Sequence, residues 1–524
     1  MTLSPHARFS RIDIGRRAAL IALANLLAPP MRAGAAAAFS GSGYPFTLGV
    51  ASGMPRPDSI VLWTRLAPQP HEPGGGLADT PIALRWELAD DEAFSSSVRR
   101  GEVQALPEHA HSVRVEVSGL RSGATFFYRF IAGEAVSPVG RTRTAPALDA
   151  DVRRLRLALA SCQHYEQGAF AAQRDIASRE LDAVLFVGDY IYESSNPRLR
   201  IRAHEGPPPM TLAAYRARYA TYKLDADLRA AHAAHPWLLT WDDHEVENDY
   251  ANDHSPSNLG VEVFLRRRAA AYKAYFEHMP VSPAVLPAGP VLRIHDRFAW
   301  GRLADLWTVD NRQYRDVQPC PDTRGAGSRL LTECVSLGDE SRSMLGSEQE
   351  RWLAHGLAAS QRRWQVVAQG TQISEAGIDT PKGRRINSDG WDGYPAARSR
   401  LLRTIAEPKR PGVLCLGGDV HRHVAANLRL RPNDADSAVI ASEFICSSLT
   451  SNGVSESVMA QIRASNPDLV HGRSDERGYV LLDISPERTS ADFLGTRFPV
   501  EADARMASQG RFVVEQGRPG VQRA

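Results

Sequence analysis

Five short segments of this 524-residue chain gather oxygen, sulfur and imidazole side chains, and most of them follow an apolar run that reads as a buried strand. They are Ala160-Ser161-Cys162, Gly188-Asp189-Tyr190-Ile191-Tyr192, Trp241-Asp242-Asp243-His244-Glu245, Asn248-Asp249 and Gly417-Gly418-Asp419-Val420-His421. In open α/β sheets ligands bind outside the carboxyl ends of the strands, so polar clusters at those ends converge on one edge. Any one segment alone reads as a capped loop or a buried polar residue. The ordered set requires a layered α/β fold that brings all five together.

The rest of the chain divides around this pattern. Residues 44–146 carry short runs such as Ile60-Val61-Leu62-Trp63, Ile82–Glu87, Val113–Val117 and Phe126–Phe130, separated by Gly/Pro/Asp-rich turns. That spacing predicts an N-terminal β-sandwich of the immunoglobulin or fibronectin kind, with a structural or lid role. Residues 152–503 alternate apolar runs with helical periodicity, which predicts an α/β catalytic domain. Strands are expected at Leu155–Ala160, Ala183–Val187, Trp237–Trp241, Leu303–Val309, Trp364–Ala368, Val413–Leu416 and Tyr479–Ile484. Helices are expected at Glu262–His278 and at Ser347–Leu357, the latter opened by Ser347-x-x-Glu350 as a capping box. Residues 504–524 form a C-terminal segment in which Phe512–Glu515 is expected to be an edge strand.

The first 38 residues read as an export leader and stand apart from the fold. Arg16-Arg17 precede an uncharged stretch from Ala18 to Pro30 and an alanine run, a pattern of the twin-arginine kind. The stretch is shorter than the roughly 20 residues that span a bilayer. The expected location is therefore periplasmic or secreted, with the twin-arginine export machinery as a partner, no membrane span in the mature protein and a monomeric state. A formal charge of +2 gives no argument for nucleic-acid binding. Of five cysteines, Cys320 and Cys334 flank a loop that a disulfide can close, and Cys415 and Cys446 lie in apolar runs as inert core residues. Cys162 stands at a strand end among polar residues.

Hydrolysis of a phosphate ester explains why such residues would be assembled. Two cations roughly 3.5–4 Å apart activate a hydroxide and stabilise the attacking and leaving oxygens. Asp189 is placed to offer an oxygen to each. A Cys162 thiolate, a Tyr192 phenolate and His421 suit trivalent iron, while Asp243, Asn248 and Asp419 suit a divalent oxygen-seeking ion. His244 then remains unligated as the residue that stabilises charge or protonates the leaving group. An extended His421-x-His423 run predicts both imidazoles on one face. Asn311 or Arg312, at the strand end Leu306–Arg312, and Arg398, near Trp391-Asp392-Gly393-Tyr394, are candidate substrate contacts, with a structural turn the alternative for the first two.

These motifs resemble the PhoD-type alkaline phosphatase/phosphodiesterase family of calcineurin-like metallophosphoesterases. The similarity extends to Phe46–Gly53, Val61–Arg65, Leu345–Trp352 and Trp391–Tyr394, and so covers almost the whole chain. The resemblance implies a β-sandwich before a four-layer αββα catalytic domain. It implies Fe(III) at Cys162, Asp189, Tyr192 and His421, and Ca(II) at Asp189, Asp419 and an asparagine, most simply Asn248. In the wider superfamily pattern Asp243 takes the metal-binding asparagine position and His244 the catalytic one, so Asp243 and Asn248 compete for one role. Cys162 replaces the usual aspartate or histidine of the first segment, which favours iron over a dimanganese or dizinc site. The expected activity is metal-dependent hydrolysis of phosphate mono- and diesters, from phospholipids to teichoic acids. A phospholipase D-like phosphodiesterase and a non-catalytic surface module are the alternatives.

Overall fold

The computed structural model describes residues 39, 43–204, 206–321, 325–407 and 412–524; the export leader lies outside the described residues. Two large sheets dominate. One has ten strands in the order Arg518–Arg523, Ala507–Glu515, Arg488–Arg497, Glu476–Ile484, Leu155–Ala160, Ala183–Val187, Pro236–Thr240, Val50–Gly53, Ser59–Arg65, Ser112–Ser118. The other has seven, in the order Asp296–Trp300, Ala304–Thr308, Trp364–Ala368, Val413–Gly417, Val439–Ile445, His423–Arg429, Leu469–Arg473. Each has a parallel centre: Leu155–Ala160 through Val50–Gly53 in the first, Ala304–Thr308 through Val439–Ile445 in the second.

Parallel strands buried on both faces need apolar residues at every position, and these have them. Leu155, Leu157, Leu159, Leu185 and Val187 point into a core shared with Leu306, Val366, Leu414, Leu416 and Phe444 of the second sheet. The alternate residues Ala158, Ala160, Val184, Phe186, Trp237 and Leu239 point the other way. There they meet Tyr215 and Tyr219 of the helix Leu212–Lys223 and Tyr272 and Tyr275 of Val261–His278. On the far side of the second sheet, Trp307, Val367 and Cys415 pack against Leu353 and Leu357 of Ser347–Ala359 and Leu401 and Leu402 of Pro395–Ala406. Helix starts follow their caps: Thr211 Oγ1 accepts from Ala214 N, and Asp225 accepts from Asp227 N and Leu228 N.

The N-terminal strands are not a free-standing unit. Ile82–Ala89, Arg99–Ala105 and Thr125–Ala132 belong to a separate five-stranded sheet, while Val50–Gly53 pairs in parallel with Pro236–Thr240 and carries Ser59–Arg65 and Ser112–Ser118 with it. Val50, Ile60, Leu62 and Val117 form a core with Leu84, Tyr128 and Phe130 of the smaller sheet. Ser59–Arg65 is buried throughout rather than on alternate residues, because its second face is covered by the helices Leu212–Lys223 and Val261–His278. Trp63 Nε1 donates to Glu277 O at 2.9 Å, and Arg65 Nη1 lies 3.0 Å from His278 Nε2.

Three local expectations are corrected. The helix at 347 starts from Gly346 with no side-chain cap, so Ser347 is no capping-box serine. Ser343 does related work from outside the helix, accepting from Gly346 N at 2.7 Å and donating to Glu350 Oε1 at 2.6 Å. Phe512–Glu515 is not an edge, since Ala507–Glu515 is paired on both sides. The edge is Arg518–Arg523, whose proline, glycine and terminal arginines conceal a strand but suit an exposed border. The His421-x-His423 run is not extended: His421 has φ 51°, and the His423 ring packs 4.9 Å from Phe493 while Nδ1 accepts from Ser447 N. Cys320 and Cys334 are disulfide-bonded, and Cys415 and Cys446 are buried free thiols.

Lys223, the last residue of its helix, is buried with Nζ 4.2 Å from the Trp63 ring centroid and 5.6 Å from that of Tyr190. Burial pulls its pKa from 10.5 down to about 7. Between those values the unfolded chain binds the extra proton, so folding stability rises with pH across the window. From pH 8 to 9.5 the urea midpoint should climb, by about 1 kcal/mol per pH unit in stability. The Lys223→Met variant should hold level over the same range.

Candidate metal centre

The first three candidate segments are the continuations of adjacent parallel strands, and the fifth continues the second sheet's Val413–Gly417. Cys162, Asp189, Asp419 and His421 all have positive φ, at 58°, 56°, 63° and 51°. Side chains with a Cβ rarely adopt that region, and such residues cluster at functional sites where the surroundings enforce them. Here the enforcement is visible. Glu245 turns its carboxylate inward and accepts from Asp189 N at 3.1 Å, Tyr190 N at 2.7 Å and Asp242 N at 3.0 Å, stapling the second segment to the third. Gly188, at φ 113°, lets the two chains touch; a Cβ there would lie 2.5 Å from Asp242 N.

Two groups of ligand atoms share Asp189. Atoms of Cys162, Asp189 and His421 lie within 4.8 Å of one another, as do atoms of Asp189, Asp243 and His244. Tyr192 joins the first group: its hydroxyl donates to Asp189 Oδ2 at 2.8 Å, accepts from Ser451 Oγ at 2.8 Å and lies 3.2 Å from His421 Nε2. His421 Nδ1 is 2.6 Å from Asn452 O, which leaves Nε2 for the centre. His244 stacks on Tyr192 at 4.0 Å and is fixed through Nδ1 by Glu193 Oε2 at 2.6 Å. A third group, Asp243, Asp249 and Asp389, adjoins through Asp243.

The candidates fare differently. Asp243 is buried, and its Oδ1 has no hydrogen-bond partner among the described residues. Asn248 is exposed, and among the described residues only its backbone N–H is held, by Glu193 Oε1 at 2.9 Å. Asp419 Oδ2 accepts from Thr371 Oγ1, and Asp419 lines a cavity of about 430 Å³ together with Asp249, Asp389 and His421. Asn311 is buried beside the cluster, accepting from Gly370 N at 3.0 Å with its Nδ2 unpartnered among the described residues. Arg398 is not on the cavity wall. It lies buried in Pro395–Ala406, ion-paired to Asp392 and Glu375 at 2.6 and 2.7 Å, so its charge is already committed.

Sequence reading gave no role to Glu193, Glu245 or Asp389, and considered Arg312 only as a possible substrate contact, yet all four organise the centre. Arg312 is the buried counter-ion, bidentate on Asp242, 2.9 Å from Asp389 and 3.5 Å from Asp243. Glu193, Glu245 and Asp389 hold backbone or cationic groups in place. Glu193 and Glu245 directly follow residues already singled out, and that adjacency was the available signal. Asp389 lies far along the chain, and the strand before it, Gly383–Asn387, is mostly polar and buried only at Ile386, so no apolar run marks it.

The electrostatics favour cations. Burial pushes the Asp189 carboxyl well above the usual range, with Asp243 and Asp242 adding to the rise against the opposing pull of His244, and it pushes Asp419 up to about 7. Burial likewise raises Cys162 and Tyr192 and lowers His421 to about 3. An unpartnered buried oxygen on Asp243 and a sulfur–oxygen–nitrogen donor set around Asp189 fit metal ions, which would reverse each of these acid shifts. A Cβ at position 188 should force the second and third segments apart. Gly188→Ala is expected to lower stability by about 2–4 kcal/mol in urea denaturation and to reduce bound metal in the purified protein.

Known proteins align with this arrangement. Residues 157–493 match the family described as PhoD-like phosphatase, and residues 33–146 match the PhoD-like phosphatase N-terminal domain. The chain is 41% identical over 490 residues to alkaline phosphatase D of Bacillus subtilis (strain 168), spanning 92% of this chain and 83% of that one. A solved structure titled "Structure of PhoD" superposes with a TM-score of 0.88 at 40% identity, covering 93% of each chain. The chain belongs to the PhoD-like phosphatase family and is a hydrolase acting on phosphoester bonds.

Proposed function

We propose that this hydrolase cleaves phosphate mono- and diesters, with Fe(III) held by Cys162, Asp189, Tyr192 and His421 and Ca(II) held by Asp189, Asp243 and Asp419. The observation that carries the reading is the shared carboxylate of Asp189, common to a thiol–imidazole group and a second group containing Asp243. Asp243 is preferred to Asn248 because it brings a buried oxygen in need of a partner, whereas Asn248 is exposed. When bound, such a pair of cations supplies an activated water and neutralises charge on the phosphoryl group. The chain's own residues do the rest. Glu193 fixes His244 through Nδ1, leaving Nε2 to protonate the departing oxygen. Arg312 holds the Asp242 and Asp389 carboxylates in register beside the ligands.

The finer architecture is proposed to be a four-layer αββα sandwich at 152–503, after an immunoglobulin- or fibronectin-like β-sandwich at 44–146. The core between the two large sheets and the helices packed outside each support the first, and the two-sheet core of Ile60, Leu84 and Tyr128 supports the second. The protein is further proposed to be exported through the twin-arginine machinery and to work as a periplasmic or secreted monomer. Arg16-Arg17 and the alanine run support export, and among the described residues no helix is long and apolar enough to cross a membrane. One observation favours a phospholipase D-like preference for diesters as the second reading. Ile378, Val420, Val454, Val458 and Ile462 give the cavity an apolar part of its lining besides its acids, suited to an apolar alcohol group.

Protein purified in folded, exported form should contain iron and calcium and show a visible tyrosinate-to-iron absorption band. Tyr192→Phe should erase the band, and calcium chelation should abolish hydrolysis. Colourless, active protein holding only zinc or manganese would overturn the iron assignment. Asp189→Asn should cost about a thousandfold or more in kcat/KM, and an unchanged rate would point to a non-catalytic module. Glu193→Gln should lower kcat by about ten- to a hundredfold with metal content unaltered.

A further inference from the structure

Arg422 lines the same cavity as Asp419 and His421, and it is 7% exposed. Its Nε and Nη2 both donate to Gln372 Oε1, at 3.3 and 2.8 Å. That amide is itself oriented, because Gln372 Nε2 donates to Ser374 O at 3.2 Å and to Ser374 Oγ at 2.9 Å. The anchor is neutral, so it positions the guanidinium without cancelling its charge. Arg422 forms no ion pair with any carboxylate among the described residues, and its Nη1 has no hydrogen-bond partner among them.

The nearest acids attract it from a distance without touching it, and each already holds another group. Asp392 pairs with Arg398, Glu443 accepts from the N–H groups of Ile373 and Ser374, and Asp419 accepts from Thr371. A buried guanidinium without a counter-ion is costly to desolvate, and other arginines of this neighbourhood avoid that cost: Arg312, Arg315 and Arg398 each hold a carboxylate. The partner that Arg422 lacks is an anion arriving through the cavity. Its planar fork matches two oxygens of a phosphoryl group.

On the reading that this cavity is the phosphoester site, we propose that Arg422, steered by Gln372, grips the non-bridging oxygens of the substrate's phosphoryl group and sets affinity for it. The residue directly follows the fifth segment, yet it is neither a ligand nor a proton donor. It recognises the group on which the chemistry acts.

Inorganic phosphate, used as a competitive inhibitor of monoester hydrolysis, tests this on the metal-loaded full chain. Arg422→Met should raise the phosphate Ki and the substrate KM by about ten- to a hundredfold, with a smaller fall in kcat and unchanged iron and calcium content. Arg422→Lys should recover part of the affinity. Gln372→Glu provides a variant that keeps the arginine: its carboxylate should capture the guanidinium, raising the phosphate Ki while the melting temperature stays level or rises. An unchanged Ki in both Arg422→Met and Gln372→Glu, in a protein that does hydrolyse phosphate esters, overturns the Arg422 assignment alone. A wild-type protein that hydrolyses none overturns the proposed function and this inference together.

Discussion

Too many carboxylates meet at one place for this fold to be neutral about cations. Asp189, Asp242, Asp243, Asp389 and Asp419 converge where strand ends from both large sheets meet; the first four are buried and Asp419 is half-buried at the cavity wall. Like charges at such separations in a poorly solvated site repel strongly. The chain supplies one central cation, Arg312, which spans Asp242 and Asp389 and reaches towards Asp243 and Asp419. It does not reach Asp189, whose carboxylate is left with a tyrosine hydroxyl and the backbone N–H of His244. The protein thus neutralises Asp242 and Asp389 internally and leaves the rest of its acid cluster, Asp189 foremost, for something else to neutralise.

That division explains the adjacent pair Asp242-Asp243. Successive residues of the third segment have opposite fates: Asp242 is locked to Arg312 through both oxygens, and Asp243 keeps a buried oxygen unpaired. The same economy governs the backbone. Positive φ marks Cys162, Asp189, Asp419 and His421 at strand ends, and at Asp189 the turn is held by the hydrogen bonds that Glu245 accepts and by the Gly188 close approach. Geometry at the centre is therefore a property of the strand ends together, not of any one loop.

Much of this was legible in the sequence, for physical reasons. Two-sided burial writes itself as continuous apolar runs, so Leu155–Ala160, Ala183–Val187 and Trp364–Ala368 were bounded to the residue. Ligand-type residues directly after those runs marked the centre. Tertiary pairing left weaker traces. Nothing in Arg518-Pro519-Gly520-Val521 announces a strand, because that strand exists through its partner and through Val521 N donating to Asn427 Oδ1. Arg398 looked free because its sequence neighbours do not reveal that Glu375, 23 residues away, holds it. Arg422 was hidden in the opposite way: flanked by histidines, it reads as one more polar residue, and only the structure reveals the missing counter-ion.

The N-terminal strands take on meaning from the same strand ends. Val50–Gly53 pairs in parallel with Pro236–Thr240, the strand that delivers Trp241-Asp242-Asp243-His244-Glu245. Without that pairing, Pro236–Thr240 would be the outer parallel strand of its sheet, with one row of backbone groups unpaired and free to fray. Gly53 makes the join tight: a Cβ there would lie 2.5 Å from Pro280 O and 2.9 Å from Trp237 O. Arg65, Trp63 and Lys223 then close the seam against the helices Leu212–Lys223 and Val261–His278, whose tyrosines form the floor beneath the second segment. A segment that carries no ligand of its own thereby holds the strand on which Asp243 and His244 depend, and its contribution to catalysis is the rigidity of that edge.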